Sequence, residues 1–213
     1  ISCEKSSSDE FTAQELFIIS THDSLEVIDV NLNLPPKQMV DTIEMLLGAD
    51  LCTNESSFGL KLNEHFKPNV FISKRCPLPG IHCYFSHNVI FLSINRKGSV
   101  LFEERVIPID SLSTLIKKSF DNNLYYYPQE VSFIWHWQTP RSIIERAFKS
   151  IVKAQLSIYE ELSLVHFDKK INELSIDELK ELKSIMPLKL ILRAGSTYYP
   201  PPVPPEMPPL PGF

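Results

Sequence analysis

The stretch Val131-Ser132-Phe133-Ile134-Trp135-His136-Trp137-Gln138-Thr139-Pro140, running on into Arg141-Ser142-Ile143-Ile144-Glu145-Arg146-Ala147-Phe148, decides the fold. Its first seven residues are mostly β-branched or aromatic, the composition of a pleated, half-buried strand. Thr139 and Pro140 then read as a cap and first-turn pair, because proline pre-sets the helical φ where its missing N–H goes unused. Beyond them Ile144, Ala147, Phe148, Ile151, Ile158, Tyr159 and Leu162 recur at helical spacing and mark the longest element of the chain. Working towards the N-terminus, residues 89–94 and 100–109 read as two strands joined at Asn95-Arg96-Lys97-Gly98, where Gly98 supplies the positive φ of a hairpin. Asp110 is expected to cap a helix that carries Leu112, Leu115, Ile116 and Phe120 and ends at Asp121-Asn122-Asn123. Towards the C-terminus, Ser175-Ile176-Asp177-Glu178 forms a capping-box pattern for a helix through Leu179, Leu182 and Ile185, and residues 188–192 read as a closing strand.

The first third of the chain is patterned more loosely. Thr12-Ala13-Gln14-Glu15 fits a capping box, yet Leu16-Phe17-Ile18-Ile19 reads equally as a strand. Residues 24–34 alternate as a strand through Leu25, Val27 and Ile28. Pro35 and Pro36 open a helix whose apolar face is Val40, Ile43, Leu46 and Leu47, closed by Gly48. Short apolar runs follow at 58–62, 69–73 and 82–85. The expected organisation is therefore α+β. Residues 1–10 form a polar leader and 11–85 a small strand-helix-strand unit. Residues 86–192 form a small mixed sheet with helices on one face, and 193–213 a proline-rich tail.

Composition narrows the function classes. With 213 residues, 43% of them hydrophobic, the chain can bury a generous core. The 21 basic and 26 acidic side chains are well mixed and sum to −5, so no broad positive surface is available to displace counterions from nucleic acid. Six glycines against 17 prolines argue against a glycine-rich phosphate cradle. No stretch approaches the roughly 18–20 uninterrupted apolar residues of a membrane-spanning helix.

The order strand, strand, helix, strand, helix, extra helix, strand over residues 86–192 resembles the periplasmic domain of the ExbD/TolR biopolymer-transport family. The residues that carry the likeness run from Val131-Ser132-Phe133-Ile134 and Thr139-Pro140 through Ala154-Gln155 and Tyr159-Glu160-Glu161-Leu162. They continue through Phe167-Asp168-Lys169-Lys170 and Leu174 to Met186-Pro187. The extra helix before the last strand is similar to the long form of ExbD in Bacteroidetes-type bacteria. The resemblance implies a docking domain in envelope complexes that pairs with a second copy. The family's transmembrane helix, with its proton-handling acidic residue, has no counterpart in this sequence, so proton transduction does not carry over.

Ile1-Ser2-Cys3-Glu4-Lys5, followed by Ser6-Ser7-Ser8-Asp9-Glu10, resembles a bacterial lipobox and implies a lipid on Cys3, which would place the chain at the outer membrane. Cys76 and Cys83 bracket Pro77-Leu78-Pro79-Gly80-Ile81-His82, a turn-forming loop expected to bring the two thiols into a disulfide. Cys52 is left as a buried small hydrophobe. The sharper reading, a zinc site of Cys76, His82, Cys83 and His87, meets the objection that adjacent ligands on a strand point apart. The tail, Tyr198-Tyr199-Pro200 through Pro211-Gly212-Phe213, has too few backbone donors for helix or sheet and is expected to adopt polyproline II. Tyr198, Tyr199, Val203, Met207, Leu210 and Phe213 make it either a partner-binding segment or a solvated terminus.

No nucleophile elbow, metal pair or acid pair is present, and the expectation is a non-enzymatic protein without cofactor or metal. His136 between Trp135 and Trp137 fits a half-buried sheet better than a catalytic site. The expected function is a membrane-anchored accessory or scaffold lipoprotein subunit of an envelope transport or assembly complex, partnered by other envelope proteins and not by nucleic acid. A peptidoglycan-binding module and a periplasmic hydrolase are the alternatives.

Overall fold

The computed structural model describes residues 11–19, 26–51, 55–64, 66–72, 89–103, 105–122, 130–185 and 188–192. Thr12 N–H donates to Glu15 Oε2 at 2.6 Å, and Glu15 N–H donates to Thr12 Oγ1 at 3.2 Å. This capping box satisfies two orphan donors and resolves the ambiguous run as helix α1, Ala13–Ile19. Strand β1 is Val27–Ile28, and the alternation continues beyond it, with Ile28, Val30 and Leu32 all buried. Helix α2, Pro36–Leu47, ends at Gly48 with φ 59°. Its buried stripe is Met39, Val40 and Ile43, whereas Leu46, expected on that face, is 42% exposed.

Strands β2 (Ser56–Leu60) and β3 (Asn69–Ile72) form an antiparallel pair. The expected hairpin is present as β4 (Val89–Ile94) and β5 (Val100–Phe102), with Gly98 at φ 81° in the turn. The second strand is not continuous to Ile109. Glu103 takes φ 45°, breaks the extended run and folds β6 (Arg105–Ile107) back against β5. Asp110 lies inside a short 3-10 turn, Ile109–Ser111, rather than at the cap of helix α3 (Leu112–Asn122), and its carboxylate accepts from Arg146 at 2.7 Å.

Strand β7 is Glu130–Trp135 and ends two residues before Trp137, because the chain leaves the sheet at His136 and turns at Trp137 and Gln138. The Thr139 hydroxyl does not cap helix α4 (Arg141–Phe167). It is fully buried and donates to the Asn95 carbonyl at 3.0 Å, tying the β4–β5 turn to the start of the helix. Asn95 Oδ1 in turn accepts from Lys97 N and Ser99 N, both at 2.9 Å. The expected α4 stripe is buried apart from Leu162, which is only partly so. Helix α5 is Ile176–Ile185 and β8 is Lys189–Leu192.

The strands form one eight-stranded mixed sheet in the order β1-β2-β3-β8-β7-β4-β5-β6. Strands from residues 11–85 and from residues 86–192 thus share one sheet: β3 runs parallel beside β8, with Phe71 opposite Ile191. The fold is α+β. Parallel crossovers are nearly always right-handed, and for β1-α2-β2, β6-α3-β7 and β7-α4-β8 that hand puts all three helices on the same face. Contacts agree. Phe133 and Trp135 of β7 meet Phe148 of α4 at 5.0 and 5.9 Å between ring centroids, and the Trp135 indole N–H donates to the Leu32 carbonyl, just before α2, at 2.8 Å. The core lies between this helix layer and the sheet. Each large side chain buried there contributes about 1.5–3 kcal/mol.

Candidate interaction surface on the sheet

Side chains alternate across a sheet, so the residues between the core positions share the opposite face. On β3, β8, β7 and β4 the register aligns Phe71, Ile191, Ser132 and Phe91 in one row. A second row, Ile134, Ser93, Leu101 and Val106, crosses β7, β4, β5 and β6. Phe91 is 45% and Val106 70% exposed, while Ile191 and Ser132 in the middle strands are buried. The next row carries charge, with Glu130 of β7 opposite Lys189 of β8. Lys189 Nζ donates to Glu55 at 3.0 Å and sits 5.2 Å from the centre of the Phe71 ring, so its cation is held at the rim of the apolar rows. Asn69 Oδ1 on the same face is buried and has no hydrogen-bond partner among the described residues.

What this surface can do is bind. It offers two aromatic rings and several aliphatic side chains beside a fixed charge, on strands whose backbone groups are already paired. Both sheet edges discourage strand addition: β1 has two residues, and β6 has three, with Arg105 on it and Pro108 just after it. The helix layer offers less to a ligand. A void of about 10 Å³ lined by Phe120, Val131, Ile151 and Leu190 has room for one water at most. Nearby, burial pushes the Tyr159 hydroxyl up in pKa, and its contacts with the Leu188 backbone and Gln155 tie α4 to the start of β8. Burial likewise lowers Lys183, whose ammonium donates to the Phe17 carbonyl at 3.2 Å and lies over the Phe17 ring, joining α5 to α1.

His136 is not on the strand. Its Nδ1 accepts from the Gln138 N–H at 3.1 Å and its ring stacks on Trp137, a turn-stabilising role. Among the described residues no group of three or more His, Cys, Asp or Glu could hold a metal ion. No helix among them is long and apolar enough to cross a membrane. Cys3, Cys76 and Cys83 lie outside the described residues, as do Cys52, His82, His87 and the whole tail with Tyr198, Tyr199, Val203, Met207, Leu210 and Phe213.

Phe71, Phe91, Leu101, Val106 and Ile134 were not legible as a surface in the sequence. Near-continuous apolar runs such as Val89–Ile94 signal a strand but do not say which side the helices cover. The one usable signal is Val106 between Arg105 and Pro108, an apolar residue on a short edge strand.

Neither a scan of protein-family models nor a search of curated proteins gives a match. Fold and surface together define the class: an α+β fold whose sheet presents a partly apolar face that none of the described helices covers.

Proposed function

We propose that this chain is a non-enzymatic docking subunit of a bacterial envelope assembly, held at the membrane by a lipid on Cys3 and contacting its neighbours through the helix-free face of the sheet. The observation that carries the docking part is Phe91 and Val106 standing exposed beside Phe71, Leu101 and Ile134, on a face that no helix among the described residues covers. Neighbouring apolar side chains on one face, with charge at the rim, are a common form of protein-binding surface. The ExbD/TolR resemblance supports the envelope setting. The lipobox-like Ile1-Ser2-Cys3 supports the anchor and, with it, an outer-membrane position.

Cys3→Ala tests the anchor: the protein is expected to move from the membrane fraction to the soluble periplasmic fraction. Unchanged membrane association after a mild salt wash contradicts it. A pulldown on purified sacculi separates docking to protein from binding to peptidoglycan.

A further inference from the structure

We propose that the turn after β7, with Trp137 at its centre, is a glycan-binding platform on which the indole carries the C–H face of a sugar ring. The proposal goes beyond the docking reading and does not depend on it, since the turn lies past the end of β7 and outside the two apolar rows.

Topology gives the place. β4 and β7 run parallel as neighbours, and the chain leaves their carboxyl ends in opposite directions, from β4 to β5 on one side and from β7 through α4 to β8 on the other. In open parallel sheets such a switch point is where ligands bind. The two connecting segments meet there: His136 N–H donates to the Ile94 carbonyl at 2.9 Å, and the Thr139 hydroxyl donates to the Asn95 carbonyl at 3.0 Å.

The turn is also fixed. Asn33 Nδ2 donates to the carbonyls of Trp137 at 3.0 Å and Thr139 at 2.8 Å, and Thr139 N–H donates to the His136 carbonyl at 2.8 Å. Tryptophan is on average a highly buried residue, yet this turn holds Trp137 37% exposed with its ring stacked on His136. A ligand resting on the indole meets a surface that is already ordered, so little of its binding free energy goes into arranging the site.

The chemistry around the ring selects the ligand. Because His136 Nδ1 accepts from Gln138 N–H, the imidazole proton sits on Nε2. Among the described residues, that Nε2–H, the Trp137 indole N–H and the exposed Gln138 amide have no hydrogen-bond partner. Residues 31–33 and 136–140, which build and brace the turn, contain no Asp, Glu, Lys or Arg. Arg141, next in the chain, is engaged by Glu145 at 2.8 Å and by the Leu62 carbonyl at 3.0 Å. The turn therefore offers one apolar ring and several uncharged donors and acceptors. A purely apolar ligand leaves those polar groups idle. A pyranose answers both parts: its C–H face lies on the indole, and its neutral hydroxyls, which donate and accept, meet the imidazole and the amide.

The test titrates the full chain with chitotetraose, cellotetraose and maltotetraose and follows the indole N–H resonances of its two tryptophans. The expected result is a saturable shift of the Trp137 resonance with at least one sugar. Trp135, whose indole N–H is held by the Leu32 carbonyl, stays in place. By calorimetry Trp137→Ala abolishes the binding and Gln138→Ala weakens it several-fold, with the unmoved Trp135 resonance reporting that both variants are folded. No Trp137 shift with any of the three sugars, equal shifts of both indoles, or undiminished binding by Trp137→Ala overturns the proposal. Loss of accompanying envelope subunits by Trp137→Ala, without any response to sugar, overturns it too and gives the turn to a protein partner.

Discussion

Glu178 completes the capping box of α5, accepting from Ser175 N–H at 2.8 Å, and also meets Lys169 Nζ at 2.6 Å. The Lys169 ammonium, then the Ser175 backbone, hold its carboxyl at about 2, against an ordinary 4.5. The folded state therefore favours the charged form. Its contribution to stability is complete above pH 4.5 and is lost as pH falls through about 2. Glu178→Gln should flatten the pH dependence of stability in that window, as read by urea melts at a series of acidic pH values. A slope identical to that of the native protein refutes this. The capping box itself was readable from Ser175 and Glu178, because it depends on local spacing. The Lys169 partner was not, because it lies across a turn set by Asp168, a non-glycine residue at φ 53°.

The β4–β5 hairpin and the start of α4 work as one unit. Gly98 sits at φ 81°, and a Cβ there would come 3.4 Å from Ile143 Cγ1 on α4. Gly98→Ala therefore forces a left-handed backbone on an L side chain against a packed neighbour, at about 1–2 kcal/mol. The denaturation midpoint should fall accordingly, and Gly98→Asn should fall less, since asparagine tolerates that region better. Equal midpoints for the alanine variant and the native protein contradict the strain. The hairpin was legible because glycine announces it. The break at Glu103 was not, because Phe102-Glu103-Glu104-Arg105 contains no glycine, proline or asparagine to mark it. Thr139 was misplaced for a related reason: a threonine before proline reads as a cap, but the Asn95 carbonyl that takes its hydroxyl is 44 residues away in sequence.

On the scale of the whole molecule, α+β character was legible because periodicity reports each element by itself. The joining of the two halves was not, since parallel pairing between β3 and β8 leaves no local mark. It has a consequence for dissection. A fragment of residues 86–192 leaves one side of β8 without its β3 neighbour and takes Leu32 away from the Trp135 indole, a hydrogen bond whose loss alone costs about 1–3 kcal/mol. That fragment should lack a cooperative thermal transition, while the full chain melts in one step; a sharp, native-like transition in the fragment contradicts the shared sheet. The same topology leaves one sheet face without helices among the described residues, and docking through that face is the central claim. The direct measurement is co-purification from native membranes of Phe91→Asp/Val106→Asp, compared with Met45→Asp/Val165→Asp, whose residues are 74% and 79% exposed on helices. All four substitutions fall on exposed side chains, so both double variants should fold. The account predicts that the sheet-face variant loses the subunits that accompany the native protein while the helix variant keeps them; retention by both, or loss by the helix variant alone, contradicts it.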